Sequence, residues 1–177
     1  MTKYDCTEDI REHAKQVKCF IDDIRSQLQS RADSHDFSKT QPPEKAIFDE
    51  YTPKLKELEY GSDEYKVALT AMGEGLQHHY KSNRHHPEHF ENGVDDMTLT
   101  DLIEMVCDWC AACSAKNIPV QLDKQAERFS IAPQLIQIIS NTLRDMDYWN
   151  TVNNVPITYL SPDGPQRNSD SYWLALK

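Results

Sequence analysis

The stretch "TEDIREHAKQVKCFIDDIRSQLQS", residues 7–30, decides the fold class. Ile10, His13, Val17, Phe20, Ile24 and Leu28 recur at intervals of 3, 4, 3, 4 and 4. That period lines them up on one stripe of an α-helix and is incompatible with the two-residue alternation of a half-buried strand. Thr7 stands where a helix cap is expected, and Glu8 and Asp9 in the first turn suit the positive end of the helix dipole. The stripe predicts a core-facing side, so His13 is expected on a buried face.

Outward from this helix the same period recurs. A second helix is expected over Glu44 to Leu58. Ser62 then resembles a cap for a third, in which Tyr65, Leu69, Met72, Leu76 and His79 are spaced 4, 3, 4 and 3. His79 completes that stripe, whereas His78 falls off it. A fourth helix, Thr98 to Lys116, carries Leu99, Leu102, Ile103, Val106, Trp109, Cys110 and Cys113. A fifth, Pro133 to Trp149, carries Leu135, Ile136, Ile138, Ile139, Leu143 and Met146. The segment "NIPVQLDKQAERFSIA" between them, residues 117–132, has room for a short helical turn. The expected architecture is all-α: a compact helical bundle over residues 1–149. A tail over 150–177, irregular or a small hairpin around a Pro/Gly turn, packs on the same domain.

With 177 residues the chain is long enough to bury one core. Its formal net charge of −10 argues against binding a nucleic-acid backbone, which depends on Lys and Arg displacing counterions. No stretch approaches the roughly 18 uninterrupted apolar residues of a membrane span. The N-terminus "MTKYDCTEDI" has no apolar run of the kind a secretory signal needs. Five cysteines without a scaffold spacing predict a reduced, cytoplasmic setting. A homo-oligomer is compatible with these features.

The seven histidines are unevenly spread: five fall within residues 78–89, three of them in "NRHHPEHF", residues 83–90. His13 and His79 each replace an apolar residue in a regular stripe. His35-Asp36 and His85-His86 follow helices. A single histidine on an apolar face is ordinarily a core residue bonded to a carbonyl. Several imidazoles and a carboxylate buried together strand polar groups at kilocalories each, and a bound cation removes that penalty. Neutral imidazole and carboxylate are the ligands that Zn, Mn and Fe prefer.

"HDFSK", residues 35–39, is similar to the "HD-x-G-K" form of the motif that names the HD superfamily of metal-dependent phosphohydrolases. In that family a histidine precedes the His-Asp pair and an aspartate follows at a distance. "HHPEHFENG", residues 85–93, resembles the "HHE…DG" stretch of its cyclic-dinucleotide phosphodiesterase branch, with "GVD" where that branch has "GYP". "EMVCDWCAA", residues 104–112, resembles its late helix. The likeness spans roughly residues 9 to 112, and the string also resembles short proteins frequent in phage genomes, which implies a host cytoplasm.

The resemblance implies a pair of divalent metal ions (Mn, Fe, Mg or Zn). One ion takes His13, His35, Asp36 and Asp108. The second shares Asp36 as a bridge and adds His79, His85 and His86. Asp101 is the alternative to Asp108. His78 and His89 are expected outside the ligand sets. Asp36 and Lys39 are the expected catalytic residues: Lys39, one turn beyond Asp36, is expected to meet a phosphate oxygen. It stands where the nucleotidase branch has a glutamate, and Glu44 is the next acid downstream. The implied activity is hydrolysis of a small phosphate ester, a nucleotide or related compound. The alternatives are a di-iron oxygenase on the same fold and a non-catalytic metal-binding protein.

"CDWCAAC", residues 107–113, spaces three cysteines by 3 and 3 inside an amphipathic helix, and small buried side chains are the expected reading. Tyr148, Trp149, Tyr159 and Trp173 are expected to anchor the tail, with stacking on a base at the cavity rim as the alternative.

Overall fold

The structure is a computed structural model that describes residues 4–59, 61–116 and 118–146. Among these residues it is all-α: seven α-helices joined by three short 3-10 turns, with no strand. The helices are α1 Thr7–Ser34, α2 Glu44–Glu57, α3 Asp63–Ala71, α4 Gly73–Ser82, α5 Leu99–Ala115, α6 Leu122–Phe129 and α7 Pro133–Asp145. The turns are Phe37–Thr40, Pro87–His89 and Gly93–Asp96. No described helix is long and apolar enough to cross a membrane. The expected tail, with Tyr148, Trp149, Tyr159 and Trp173, lies outside the described residues.

The core is built by α5, α6 and α7. Met105, Val106 and Trp109 from α5 pack with Leu122 of α6 and with Ile136, Ile139 and Leu143 of α7. Val120 and Ile131, from the segments flanking α6, close it. Trp109 stacks on Phe129, the rings 6.2 Å apart and 3° from parallel. Helix starts follow their local chemistry. The Thr98 hydroxyl and the Asp101 carboxylate form a reciprocal capping box at α5, and the Ser62 hydroxyl accepts from the Tyr65 amide at α3. At α1 the cap is Cys6 rather than Thr7, and the Asp5 carboxylate takes the Thr7 amide.

The expected third helix is two. The chain breaks at Gly73, whose φ of +49° is left-handed, so α4 restarts with a new direction. α4 then lies against α2 so closely that a Cβ on Gly75 would sit 2.5 Å from Ile47 Cδ1. This contact brings His79 of α4 to the first residue of α2, Glu44.

The largest correction concerns α1. Among its 28 residues none is buried. Ile10, Val17, Phe20, Ile21 and Ile24 are all exposed, and so is His13. The helix packs on α5 only near its C-terminal end, where Arg31 reaches Asp101 and Glu104. The next turn along the chain, His35, meets Glu104 and then Asp108, so the two helices advance together. The earlier turns of α1 therefore run past the start of α5 at Leu99. Period alone showed that α1 has an apolar side; it did not show what that side meets. Leu99 and Ile103 of α5 are likewise exposed.

Candidate metal centre

The chain turns sharply where α1 ends. Asp36 has φ +56°, a left-handed conformation that aspartate tolerates better than most residues, and it opens the 3-10 turn Phe37–Thr40. This turn aims the Asp36 carboxylate back at the end of α4 and the loop beyond it. His79, on the last turns of α4, is 1% exposed, and His85, in the loop after it, is 2% exposed. His86 follows directly.

Two groups of candidate ligands result. Asp36, His79, His85 and His86 each offer an atom within 4.8 Å of the others; His35, His85 and Asp108 do the same. The His79 and His86 Nε2 atoms are 2.9 Å apart. Asp36 Oδ1 lies 3.4 Å from His79 Nε2 and 3.6 Å from His85 Nε2. Ligands ~2.1 Å from one ion at angles of 90–110° are about 3.0–3.4 Å apart, so these spacings fit a single cation. On the other side, His35 Nε2 is 3.5 Å from Asp108 Oδ1 and 3.6 Å from Asp36 Oδ2. Asp36 thus turns one oxygen to each group, while His85 belongs to both. Lys39 donates to Asp36 Oδ2 and lies 5.0 Å from the Phe48 ring centroid.

Two atoms carry a second signal. Asp36 Oδ1 and His85 Nε2 are buried and make no hydrogen bond. Both point at the place where the ligand atoms converge. Buried polar atoms are nearly always bonded, and a cation at this point satisfies both.

Two carboxylates that the sequence did not single out as site residues hold the imidazoles in place. Glu44, fully buried, accepts from His78 Nδ1 at 2.7 Å, His79 Nδ1 at 2.9 Å and the Ser38 hydroxyl at 2.9 Å. Glu104 Oε1 lies 3.0 Å from His35 Nδ1 and 3.2 Å from His85 Nδ1, and its Oε2 accepts from Arg31 at 3.1 Å. A carboxylate can only accept, so the facing Nδ1 atoms carry the hydrogen and leave Nε2 with its lone pair toward the cluster.

The charges agree with this assignment. Burial pushes the Glu44 carboxyl up, and its bonds to His78, Ser38 and His79 overcome that and hold it low. Burial lowers His79, His85 and His86, and the neighbouring Lys39, His35 and His85 respectively lower them further, so these imidazoles are neutral near pH 7. Asp36 is raised by burial but lowered more by Lys39, His79 and His35 together, and stays ionised. His35 is the exception: Asp108 beside it, helped by Glu104 and Asp36 and opposed by burial, raises it to about 9.

Of the expected ligands, the structure assembles His35, Asp36, His79, His85, His86 and Asp108. His13 is not among them. It is exposed, and the unbroken helix from Thr7 to Ser34 carries it roughly 30 Å from the His-Asp pair at ~1.5 Å per residue. Asp101, the alternative to Asp108, is committed elsewhere. Its buried carboxylate takes Arg31 at 2.7 Å and Arg84 at 2.8 Å. His78 bonds Glu44, and His89 Nδ1 faces the Tyr80 carbonyl at 3.2 Å; neither belongs to a ligand group. Of the three cysteines on α5, Cys107 is exposed rather than buried, and Cys110 and Cys113 are half-buried.

A cavity of about 730 Å³ opens on the centre, with His79, His86 and Asp108 in its wall. Lys39, Lys56, Lys116 and Arg128 also line it, a local excess of positive charge in an acidic chain. Phe48, Tyr80 and Trp109 supply flat apolar surface.

No curated protein and no solved structure matches this chain. The sequence model of one family does, over residues 2–145, which takes in every element from α1 to α7. The chain belongs to that family, described as a family of unknown function, DUF5662.

Proposed function

We propose that the chain is a metal-dependent phosphohydrolase acting on a nucleotide or a related small phosphate ester. The observation that carries the reading is the convergence of Asp36 Oδ1 with the ring nitrogens of His79, His85 and His86, two of these atoms buried and unbonded. His35, His85 and Asp108 are suited to hold a second cation beside the first, with Asp36 Oδ2 3.6 Å from His35 Nε2. A pair of divalent cations supplies Lewis acidity toward phosphoryl oxygens and lowers the pKa of water to near neutral.

The chain's own residues account for the rest. Glu44 and Glu104 fix His79, His35 and His85, which limits reorganisation on binding. Asp36, with one oxygen toward each group, keeps the two sets in register. Lys39 bonds Asp36 at the cavity wall, where its ammonium can also meet a phosphate oxygen. The cation-lined cavity attracts an anion that the protein's net charge otherwise repels. Its aromatic walls favour an ester with a planar group.

The test is metal analysis of the purified protein, followed by phosphate release from a panel of nucleotides and aryl phosphates with Mn, Mg, Fe and Zn. Phosphate release under strictly anaerobic conditions supports the hydrolase. The histidine-rich ligand set also suits iron, and turnover that consumes O₂ and requires reducible iron assigns the site to an oxygenase instead. Metal binding without turnover of any kind leaves a structural metal site.

A further inference from the structure

We infer that the exposed apolar stripe of α1 is a self-association surface: a second copy of this chain docks there, α1 lying parallel to α1 about a two-fold axis. This is independent of the proposed function. Single exposed apolar residues are ordinary, but a continuous row is not. Ile10, Val17, Phe20, Ile21 and Ile24 are 61, 41, 69, 58 and 45% exposed. They lie on the part of α1 that runs past α5. Most of a helix's stability in a protein comes from packing its apolar face, which these turns of α1 do not do within the described residues.

The spacing specifies the kind of partner. Ile10, Val17 and Ile24 recur every seven residues, as do Cys6, His13, Phe20 and Gln27 between them. That is the pattern of a two-helix seam in which each side chain enters a gap on an identical helix. His13 and Gln27 are polar positions in the seam, the usual device for fixing register and strand number.

Charge fixes the direction. On one flank of the stripe stand Arg11, Lys18 and Arg25, seven residues apart; on the other stand Asp9, Glu12 and Asp23. In a parallel pair the basic flank of each helix faces the acidic flank of the other. In an antiparallel pair like faces like. Arg11, Lys18 and Arg25 also contact Glu8 and Asp22 on their own helix, but such exposed pairs are weak and yield readily. The chain's own residues 147–177 are a poorer occupant. They hold Pro156, Pro162, Gly164 and Pro165, and their seven-residue apolar pairs, Tyr148 with Val155 and Val152 with Tyr159, extend no further along the chain.

The full-length chain tests this by light scattering and sedimentation equilibrium. We expect a dimer at tens of micromolar. Phe20→Glu and Ile24→Glu should each weaken association at least tenfold, whereas Lys15→Glu, on the opposite side of α1, should not. Direction is read from Cys6, an exposed thiol at the start of α1 in line with the stripe. In the parallel pair the two Cys6 residues adjoin. Diamide should oxidise their thiols to one disulfide, itself taking up the two hydrogens as the hydrazine. Cys6→Ser should abolish that crosslinked dimer and Cys19→Ser should not. A monomer at every concentration overturns the inference. If Phe20→Glu then also speeds proteolysis of residues 147–177, the face belongs to the chain's own tail. A dimer that both glutamate variants leave intact overturns it too, and a dimer without the Cys6 crosslink overturns the parallel arrangement.

Discussion

Glu44 and Glu104 stand in the same relation to the histidines: each carboxylate has the Nδ1 atoms of two of them within 3.2 Å. Glu44 holds His78 and His79; Glu104 holds His35 and His85. The consequence is a set of imidazoles whose Nε2 atoms are pre-aimed. Without these anchors His35, His79 and His85, three of the four ligand histidines, would have free ring rotation and an undecided tautomer.

Replacing either anchor by glutamine should therefore weaken metal binding without removing a ligand. Glu44 uses Oε1 for His78 and Oε2 for His79, so an amide nitrogen must confront one Nδ1–H. Glu104 serves two histidines and Arg31, and glutamine leaves one oxygen for three donors. We expect Glu44→Gln and Glu104→Gln each to raise the metal dissociation constant about 10- to 100-fold, measured by calorimetric titration. An unchanged affinity would show that the carboxylates do not orient the site.

Asp101 makes a separate prediction about stability. Burial raises its carboxyl, and the bonds from Arg84, Thr98 and Arg31 overcome that and hold it well below the usual range. A carboxyl lowered in the folded state adds stability at neutral pH. That stability fades as pH falls from the ordinary value of ~3.9 toward the lowered one. Asp101→Asn leaves two arginines short of an anion and should destabilise by about 3 kcal/mol at pH 7. Denaturant titrations at pH 7 and pH 3 should show the gap between wild type and variant shrinking in acid.

Gly75 reports on how α2 and α4 are held together. Alanine in a helix is ordinarily favoured over glycine by ~1 kcal/mol. Here the added Cβ would lie 2.5 Å from Ile47 Cδ1 and 3.1 Å from both Ile47 Cβ and Cγ2. Rotating the Ile47 tip clears the first contact but not the other two, so the helices must part. We expect Gly75→Ala to lose about 1–3 kcal/mol net, with Ile47→Ala in the same chain recovering part of it. Thermal unfolding of the single and double variants checks this.

How much of this the sequence carried depends on whether the relevant physics was local. Helix type and the cap at Ser62 were legible, because period and capping act over a few residues, although at α1 the cap is one residue before the expected Thr7. The break at Gly73 had a signal in "MGEG", but an apolar stripe continuing to His79 masked it. His35, Asp36, His79, His85, His86 and Asp108 were found by motif. Glu104 had a readable signal that went unused: Asp101, Glu104 and Asp108 are spaced 3 and 4, an acidic row on one side of α5. Glu44 stood out only as the next acid after Lys39, since nothing near it in sequence tells that α4 will cover the first turn of α2. His13 failed for the converse reason. The spacing that put it on an apolar stripe is intrinsic to α1, and whether that stripe meets a core is a tertiary fact.

Asp36 is the residue on which fold and chemistry can be separated. Its φ of +56° tolerates asparagine, so Asp36→Asn should keep the turn and the helical signal. What changes is charge. The substituted amide offers one oxygen where the carboxylate turned Oδ1 to His79 and His85 and Oδ2 to His35. Lys39 also loses its anionic partner. If a cation is held between the two groups, the variant should stay folded in chelator, with its midpoint lowered only by the lost Lys39 ion pair. It should lose the stabilisation that added Mn or Zn gives wild type, and lose phosphate release altogether. Elemental analysis of the two proteins after equal metal loading provides the second readout. Equal metal content in wild type and variant would mean that Asp36 is not a ligand, and the centre would have to be rebuilt around the histidines alone.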